Sequence, residues 1–335
     1  MDTAEKRLSI FLERSHEASS SEALTADAST REYFRISWKG ESAIACVYPE
    51  PFDPAAQPYL DVTHLLLSAG LPVANVHAVD GPLGIIVQED LGDSILREVM
   101  ASAESRKAKR LLGEAISLIA RIQVVTEKAF ELDSVASRLR FDAEKLSWEL
   151  DYFKEHYFST YKNSPLSKAD DDAITSEFGE LCRELEGFAS VLCHRDFHAA
   201  NLMIDPNGQM RIIDHQDARI GSPTYDLVSL LLDRITEPPS PEWLAERRHY
   251  FLDVRRRLGL PKIDEDEFAN EFRLQTIQRC LKAAGTFSYQ SAVRGKEYFV
   301  PFIKPMFAIT RRGCQSLGRF PAIREVLGRE LGSDS

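Results

Sequence analysis

The stretch Val191–Asp226, VLCHRDFHAANLMIDPNGQMRIIDHQDARIGSPTYD, decides how the rest of the chain is read. It spaces His194, Asp196 and Asn201 as H-x-D-x-x-x-x-N, and a second aspartate, Asp214, closes the β-prone run Met210–Ile213. Ser190–Cys193 is a second short β-prone run, so each of these groups falls at a strand end or in the loop beside one. A lone aspartate in a loop is usually a turn or cap residue. Here three side chains of complementary type follow in an order that suits phosphoryl transfer. Asp196 is expected to act as the base that orients and deprotonates a hydroxyl. Asn201 and Asp214 are expected to hold the magnesium of a nucleoside triphosphate, because Mg²⁺ takes a few hard oxygen ligands and lets phosphate complete its shell.

Arg195 precedes the base and is placed to touch phosphate or a loop carbonyl. His194 and His198 suit buttressing of the loop backbone, and His198 is also a candidate acceptor contact. Asp217 either meets the acceptor or caps the turn before Gly221. Asp226 opens a helix in GSPTYDL and is expected to tie the loop to the helical part of the chain.

Outward from the motif, residues 1–88 read as strand-rich. Glu32–Lys39 and Ser42–Tyr48 are β-prone runs separated by Gly40-Glu41, a hairpin signal. Pro54–Ala69 has helical spacing with Gly70 as a stop. Two short strands follow near Asn75–Val79 and Gly84–Glu89, joined by Asp80-Gly81-Pro82. With a weak first strand near Ala23–Ala26 the order is β-β-β-α-β-β. Residues 89–93, EDLGD, form a polar connection. Residues 94–335 then turn to amphipathic helices, expected over Glu104–Val125, Asp142–Tyr161, Asp170–Leu185, Tyr225–Arg234, Pro241–Arg257, Glu265–Gly285 and Phe299–Leu317. The layout is α+β with two lobes: a β-rich nucleotide-binding lobe (1–88), a hinge (89–93) and a helical lobe (94–335) with the catalytic loop and acceptor site.

Composition narrows the partners. The 335 residues are 44% hydrophobic and 28% charged, ordinary for a globular protein. A net charge of −11 argues against nucleic acid or an anionic membrane as partner. No apolar run approaches the roughly 18 residues of a membrane helix, and the first twenty residues lack a signal-peptide pattern. The five cysteines are odd in number and form no C-x-x-C, so they are expected to be buried free thiols of a cytoplasmic protein.

On the nucleotide side the chain departs from a protein kinase. That fold expects a lysine on the third strand and a glycine-rich loop over the phosphates. The run SAIACVYPEP has no lysine, Lys39 lies in the hairpin turn, and ADASTR (26–31) has no glycine. Ser29 and Thr30 are candidates to meet phosphate, and Arg31 or Arg35 to supply the missing charge. Gln88, Glu89 and Leu91 are expected to meet the adenine edge through their backbone. On the acceptor side, Glu149 is a candidate to meet the acceptor's hydroxyls, with Trp148, Tyr152 or Phe153 as an apolar face. Lys282 and Arg279 are placed to line the same cleft. Eight residues (215–222) separate Asp214 from Pro223, too few for a peptide-docking activation segment, so the acceptor is expected to be a small molecule.

HRDFHAANLMI followed by IIDHQDARIGSPTYDLVSLL resembles the aminoglycoside phosphotransferase/choline kinase superfamily of the protein-kinase-like fold. Within it, HRDFH…NLM, IDHQDA, YDLVSLL, DASTREYFRI (27–36) and LKAAGTFSYQ (281–290) are most similar to the cell-wall sugar kinases acting on N-acetylmuramate and N-acetylglucosamine. The resemblance spans both lobes. It implies an ATP- and Mg²⁺-dependent kinase for the anomeric hydroxyl of an amino sugar, and a branch that tolerates loss of the strand lysine. Choline, another amino alcohol or an aminoglycoside is the alternative acceptor. A nucleotide-binding pseudokinase scaffold is the alternative of another class.

Overall fold

The computed structural model describes residues 2–17, 20–24 and 30–332. In chain order its strands are β1 (Ser21–Leu24), β2 (Glu32–Trp38), β3 (Glu41–Val47), β4 (Val76–Asp80), β5 (Ile85–Glu89), β6 (Val191–Cys193), β7 (Leu202–Ile204), β8 (Met210–Ile212) and β9 (Arg219–Gly221). The first helices are α1 (Ala4–Arg14), α2 (Pro58–Ser68), α3 (Leu96–Ser102), α4 (Ser105–Val124), α5 (Thr126–Glu131), α6 (Val135–Arg138) and α7 (Ala143–Phe153). They are followed by α8 (Lys168–Phe188), α9 (Tyr225–Leu232), α10 (Pro241–Arg257), α11 (Glu265–Ala292), α12 (Ile303–Leu317) and α13 (Pro321–Leu331). Two compact units divide them: Met1–Ala108, Glu131–Val135 and Ala199–Asp217 form the first, and Lys109–Phe130, Ala136–His198 and Ala218–Ser335 the second.

The first unit is built on a five-stranded antiparallel sheet in the order β1-β2-β3-β5-β4. β2 alternates as a strand with one buried face should, with Phe34, Ile36 and Trp38 inward. The run Ala43–Val47 of β3 is buried throughout, because this strand is covered on both faces. Leu8, Phe11 and Leu12 of α1 close one face, with Phe11 stacked on Trp38 at 5.5 Å. Arg7 fixes this helix by donating to the carbonyls of Leu83 (2.8 Å) and Tyr48 (2.6 Å). The helix α1 lies outside the β-β-β-α-β-β order expected from the sequence; the rest of that order stands, the weak first strand falling at Ser21–Leu24.

The second unit packs its helices about α11, whose residues are buried on several faces. The sequence pattern stops this helix at Gly285, but it continues to Ala292. Gly285 is there for a close approach: a Cβ on it would stand 2.7 Å from the Cα of Phe153. The helix expected over Asp142–Tyr161 changes at Lys154 from α to a π-helical stretch, Lys154–Tyr161, which turns both Tyr157 and Phe158 inward. The segments before α2 and α12 open as 3-10 turns, Pro54–Ala56 and Glu297–Phe302. The helices α3, α5, α6 and α13 are further elements that periodicity does not single out. All five cysteines are buried and unpaired.

Candidate active site

In the second unit β6 and β9 pair antiparallel in register Val191↔Gly221, Leu192↔Ile220, Cys193↔Arg219, and the loop 194–198 leaves the end of β6. Asp226, in the first turn of α9 and fully buried, grips this loop. Its carboxylate accepts from the backbone N–H of His194 at 2.7 Å and of Arg195 at 3.0 Å. Burial pushes its carboxyl up, opposed by His194 and by those two N–H groups. Arg195 has φ +85°, a left-handed conformation that costs a non-glycine residue energy. The next residue, Asp196, is presented with 28% of its side chain exposed. The His198 N–H closes the turn on the Asp196 carbonyl at 3.0 Å.

Three cations surround the Asp196 carboxylate: Lys282 Nζ at 3.3 Å, Arg195 Nε at 3.8 Å and Arg279 Nη2 at 3.9 Å. Burial alone would raise its pKa. Lys282, Arg279 and Arg195 outweigh it and hold the carboxyl well below the usual carboxylate range. Arg279 is fixed in turn, lying 5.0 Å over the Tyr225 ring and donating to Tyr225 Oη at 3.3 Å. Tyr225 stacks on Phe141 at 4.0 Å.

The same unit holds the acceptor-side candidates of α7. Glu149 is 1% exposed; Gln278 donates to its Oε2 at 2.8 Å, while Oε1 is buried without a hydrogen-bond partner. Trp148 is 56% exposed, with Tyr152 at 5.8 Å. Phe153, in contrast, is a core residue, because it faces Phe307 and Phe158.

In the first unit the hairpin β7–β8 is registered Leu202↔Ile212, Met203↔Arg211, Ile204↔Met210. The Ile213 N–H donates to Asn201 O at 3.1 Å, extending the ladder by one pair. This register brings Asn201, immediately before β7, beside Asp214, two residues after β8, with Asn201 Nδ2 3.4 Å from Asp214 Oδ2. Asp214 is left-handed at φ +62°, a conformation aspartate tolerates better than most, and its side chain is 41% exposed. Gln216 donates to its Oδ1 at 2.9 Å. No cluster of three or more His, Cys, Asp or Glu fit to cage a metal occurs among the described residues. A converging amide and carboxylate suit Mg²⁺, which relies on phosphate and water for the rest of its shell.

The two arginine candidates on the nucleotide side have different surroundings. Arg31 Nη2 lies 3.6 Å from Asp214 Oδ1, and its guanidinium sits 5.6 Å from the Tyr48 ring. Arg35 is held by Asp90 (2.8 Å) and Asp93 (2.7 Å), and Ser42 also donates to Asp90. Thr30 is exposed beside Arg31, and Ser29 lies outside the described residues. Gln88 accepts from Tyr59 Oη at 2.5 Å. Glu89 takes a two-pronged bond from Arg211 at 2.8 and 2.7 Å, and Leu91 is buried. His198 ends a segment of the second unit and Asp217 a segment of the first, and both are half-buried. Arg211 and Asp90 carry no sequence signal, since their partners lie far along the chain.

The fold with its H-x-D-x-x-x-x-N loop and Asn–Asp hairpin places the chain in the class of kinase-like phosphotransferases. Residues 20–261 match the family model described as the phosphotransferase enzyme family, APH, and the chain belongs to that family. It is 29% identical to an N-acetylmuramate/N-acetylglucosamine kinase of Neisseria meningitidis serogroup B, over 91% of this chain and 90% of that protein. A protein of the same description from Pseudomonas putida is 27% identical, over 92% and 87%. Among solved structures, a choline kinase of Streptococcus pneumoniae superposes with TM-score 0.57 at 17% identity, covering 92% of this chain and 98% of that one. An ADP-bound aminoglycoside phosphotransferase superposes with TM-score 0.55 at 14% identity, covering 89% and 95%. These likenesses establish the α+β, protein-kinase-like fold. No helix among the described residues is long and apolar enough to cross a membrane.

Proposed function

We propose that this chain transfers the γ-phosphoryl group of ATP to the anomeric hydroxyl of an amino sugar, N-acetylmuramate or N-acetylglucosamine. The observation that carries the reading is the setting of Asp196: an ionised, partly exposed carboxylate on a loop clamped by Asp226. The naming of relatives alike over about nine-tenths of the chain supports the sugar.

In this reading Asp196 accepts a hydrogen bond from the sugar hydroxyl and aligns it. The hydroxyl oxygen attacks the γ-phosphorus, an O–P bond forms, and the bond to the β–γ bridging oxygen breaks, its electron pair leaving with ADP. The hydroxyl proton passes to Asp196 and then to solvent. A carboxylate held at low pKa is a weak base, which suits a loose transition state where the proton leaves late. Asn201 and Asp214 would hold Mg²⁺, which neutralises charge on the outer phosphates when bound. Arg31, beside Asp214, takes the role of the missing strand lysine. Thr30, and Ser29 in the same segment, lend hydroxyls to phosphate. The 88–91 connector meets adenine, and Glu149, with Asp217 and His198, meets the sugar.

The cations around Asp196 oppose a quaternary ammonium or aminoglycoside acceptor, whose charge they would repel. A coupled ATPase assay with N-acetylmuramate, N-acetylglucosamine, choline and kanamycin tests the reading. Turnover with the two sugars is expected, and turnover with choline or kanamycin alone would overturn it.

A further inference from the structure

Although the chain carries −11 overall, positive charge is in surplus around Asp196. Lys145, Arg195, Arg219, Arg279 and Lys282 act on one another electrostatically there, against Asp196, Glu149 and Asp226. Lys282, Arg279 and Arg195 lean on Asp196, and Arg219 lies 5.2 Å over the Phe141 ring. Lys145 is placed otherwise. Its ammonium makes no close ion pair or hydrogen bond among the described residues, although Glu149 acts on it electrostatically, and it rests 3.8 Å from the centroid of the Trp148 ring.

A half-buried ammonium beside three other cations is held there at a cost. Burial lowers the Lys145 pKa, and of the nearby charges Glu149 opposes that while Arg195, Arg219 and Lys282 add to it. An incoming anion would relieve the repulsion. Two further features of the same helix point to a ligand. Trp148, three residues on, offers an exposed indole with Tyr152 beside it, the kind of apolar face on which a pyranose ring packs. Glu149, four residues on, keeps a buried carboxylate oxygen without a partner, where a sugar hydroxyl would donate. Lys145, Trp148 and Glu149 therefore share one face of α7.

We propose that Lys145, held on the Trp148 ring, is a specificity-determining residue of the acceptor site, meeting an anionic substituent on the sugar whose ring lies against Trp148. This rests on the sugar-kinase reading and adds to it a preference for an acidic over a neutral sugar. A carboxylate on the acceptor and a phosphate of the donor are both anions that an ammonium could meet; the geometry favours the acceptor, because Lys145 sits on the aromatic face.

The test uses the full chain, native, Lys145→Met and Lys145→Arg. The probes are N-acetylmuramate and N-acetylglucosamine, which differ by the carboxylate-bearing lactyl ether. The ratio of kcat/KM for the acidic sugar to that for the neutral one is expected to fall roughly 10-fold to 100-fold in Lys145→Met, the scale of a charge-assisted hydrogen bond. Lys145→Arg is expected to restore most of it. An unchanged ratio overturns the proposal. So does a rise in the KM for ATP that matches the loss, since the anion would then be the donor's phosphate. Calorimetric titration of both sugars without ATP separates the two readings. Native protein that binds the acidic sugar more tightly yet phosphorylates neither supports the lysine's role and overturns the kinase reading. Native protein that binds both alike overturns the lysine's role even if both are phosphorylated.

Discussion

The buried Asp226 carboxylate accepts the backbone N–H of Arg195 at 3.0 Å, and Arg195 is the left-handed residue immediately before Asp196. The strain of that conformation is held by a carboxylate 31 residues away in the chain, which also takes the His194 N–H. Asp226→Ala would strand both donors, at about 1–3 kcal/mol each. Thermal denaturation is expected to show a clear loss of Tm. In the folded fraction kcat should fall roughly 100-fold, because the loop then aims Asp196 less well. A variant with native Tm and native kcat would show that the grip does not position the base.

Arg31 and Arg35 should separate in kinetics. Arg31 lies beside Asp214, and Arg31→Ala is expected to raise the KM for ATP by roughly 10-fold or more, the loss of one charge-assisted contact to phosphate. Arg35 is neutralised by Asp90 and Asp93 at a partly exposed position. Arg35→Ala should cost about 1 kcal/mol or less of stability and move the KM for ATP less than Arg31→Ala does. The reverse order of the two KM effects would put the phosphate charge on Arg35.

The low pKa of Asp196 has a sign that kinetics can read. Its folded-state carboxyl is held below the usual carboxylate value, so the ionised form persists as pH falls through about 4. Asp196 should therefore put no acid limb on kcat/KM between about pH 5 and 8. Removing one of the cations that depress it, in Lys282→Met, should move the acid limb to higher pH. A limb that stays in place would mean that Lys282 does not act on the base.

Gly285→Ala probes packing alone. Its Cβ would meet the Phe153 backbone at 2.7 Å, and backbone cannot move aside as a side-chain tip does. A loss of about 1–3 kcal/mol in denaturant unfolding is expected, the scale of overpacking. A gain of stability, as at an ordinary helical glycine, would contradict the close approach.

What could be read from sequence was what adjacent residues decide. That Asp196 falls on a loop after β6 and that Asn201 and Asp214 flank one hairpin was legible, because a short loop and a tight hairpin fix their order and spacing. The alternation of β2 and the run of Pro241–Arg257 were legible for the same local reason. Gly285 looked like a helix stop because its neighbour, Phe153, is over a hundred positions away. The choice between Arg31 and Arg35 was open because Asp90 and Asp93, which hold Arg35, lie more than fifty residues on. Lys145 carried no motif; its setting depends on Arg195, Arg219 and Lys282, which only the tertiary fold gathers.

Replacing Asp196 by asparagine keeps the side chain's shape and removes its charge. With saturating N-acetylmuramate or N-acetylglucosamine, Asp196→Asn is expected to lower kcat by roughly 10²–10⁴ while calorimetry still shows ATP binding. An unchanged kcat would contradict the account, since the hydroxyl would then be aligned and deprotonated by some other group.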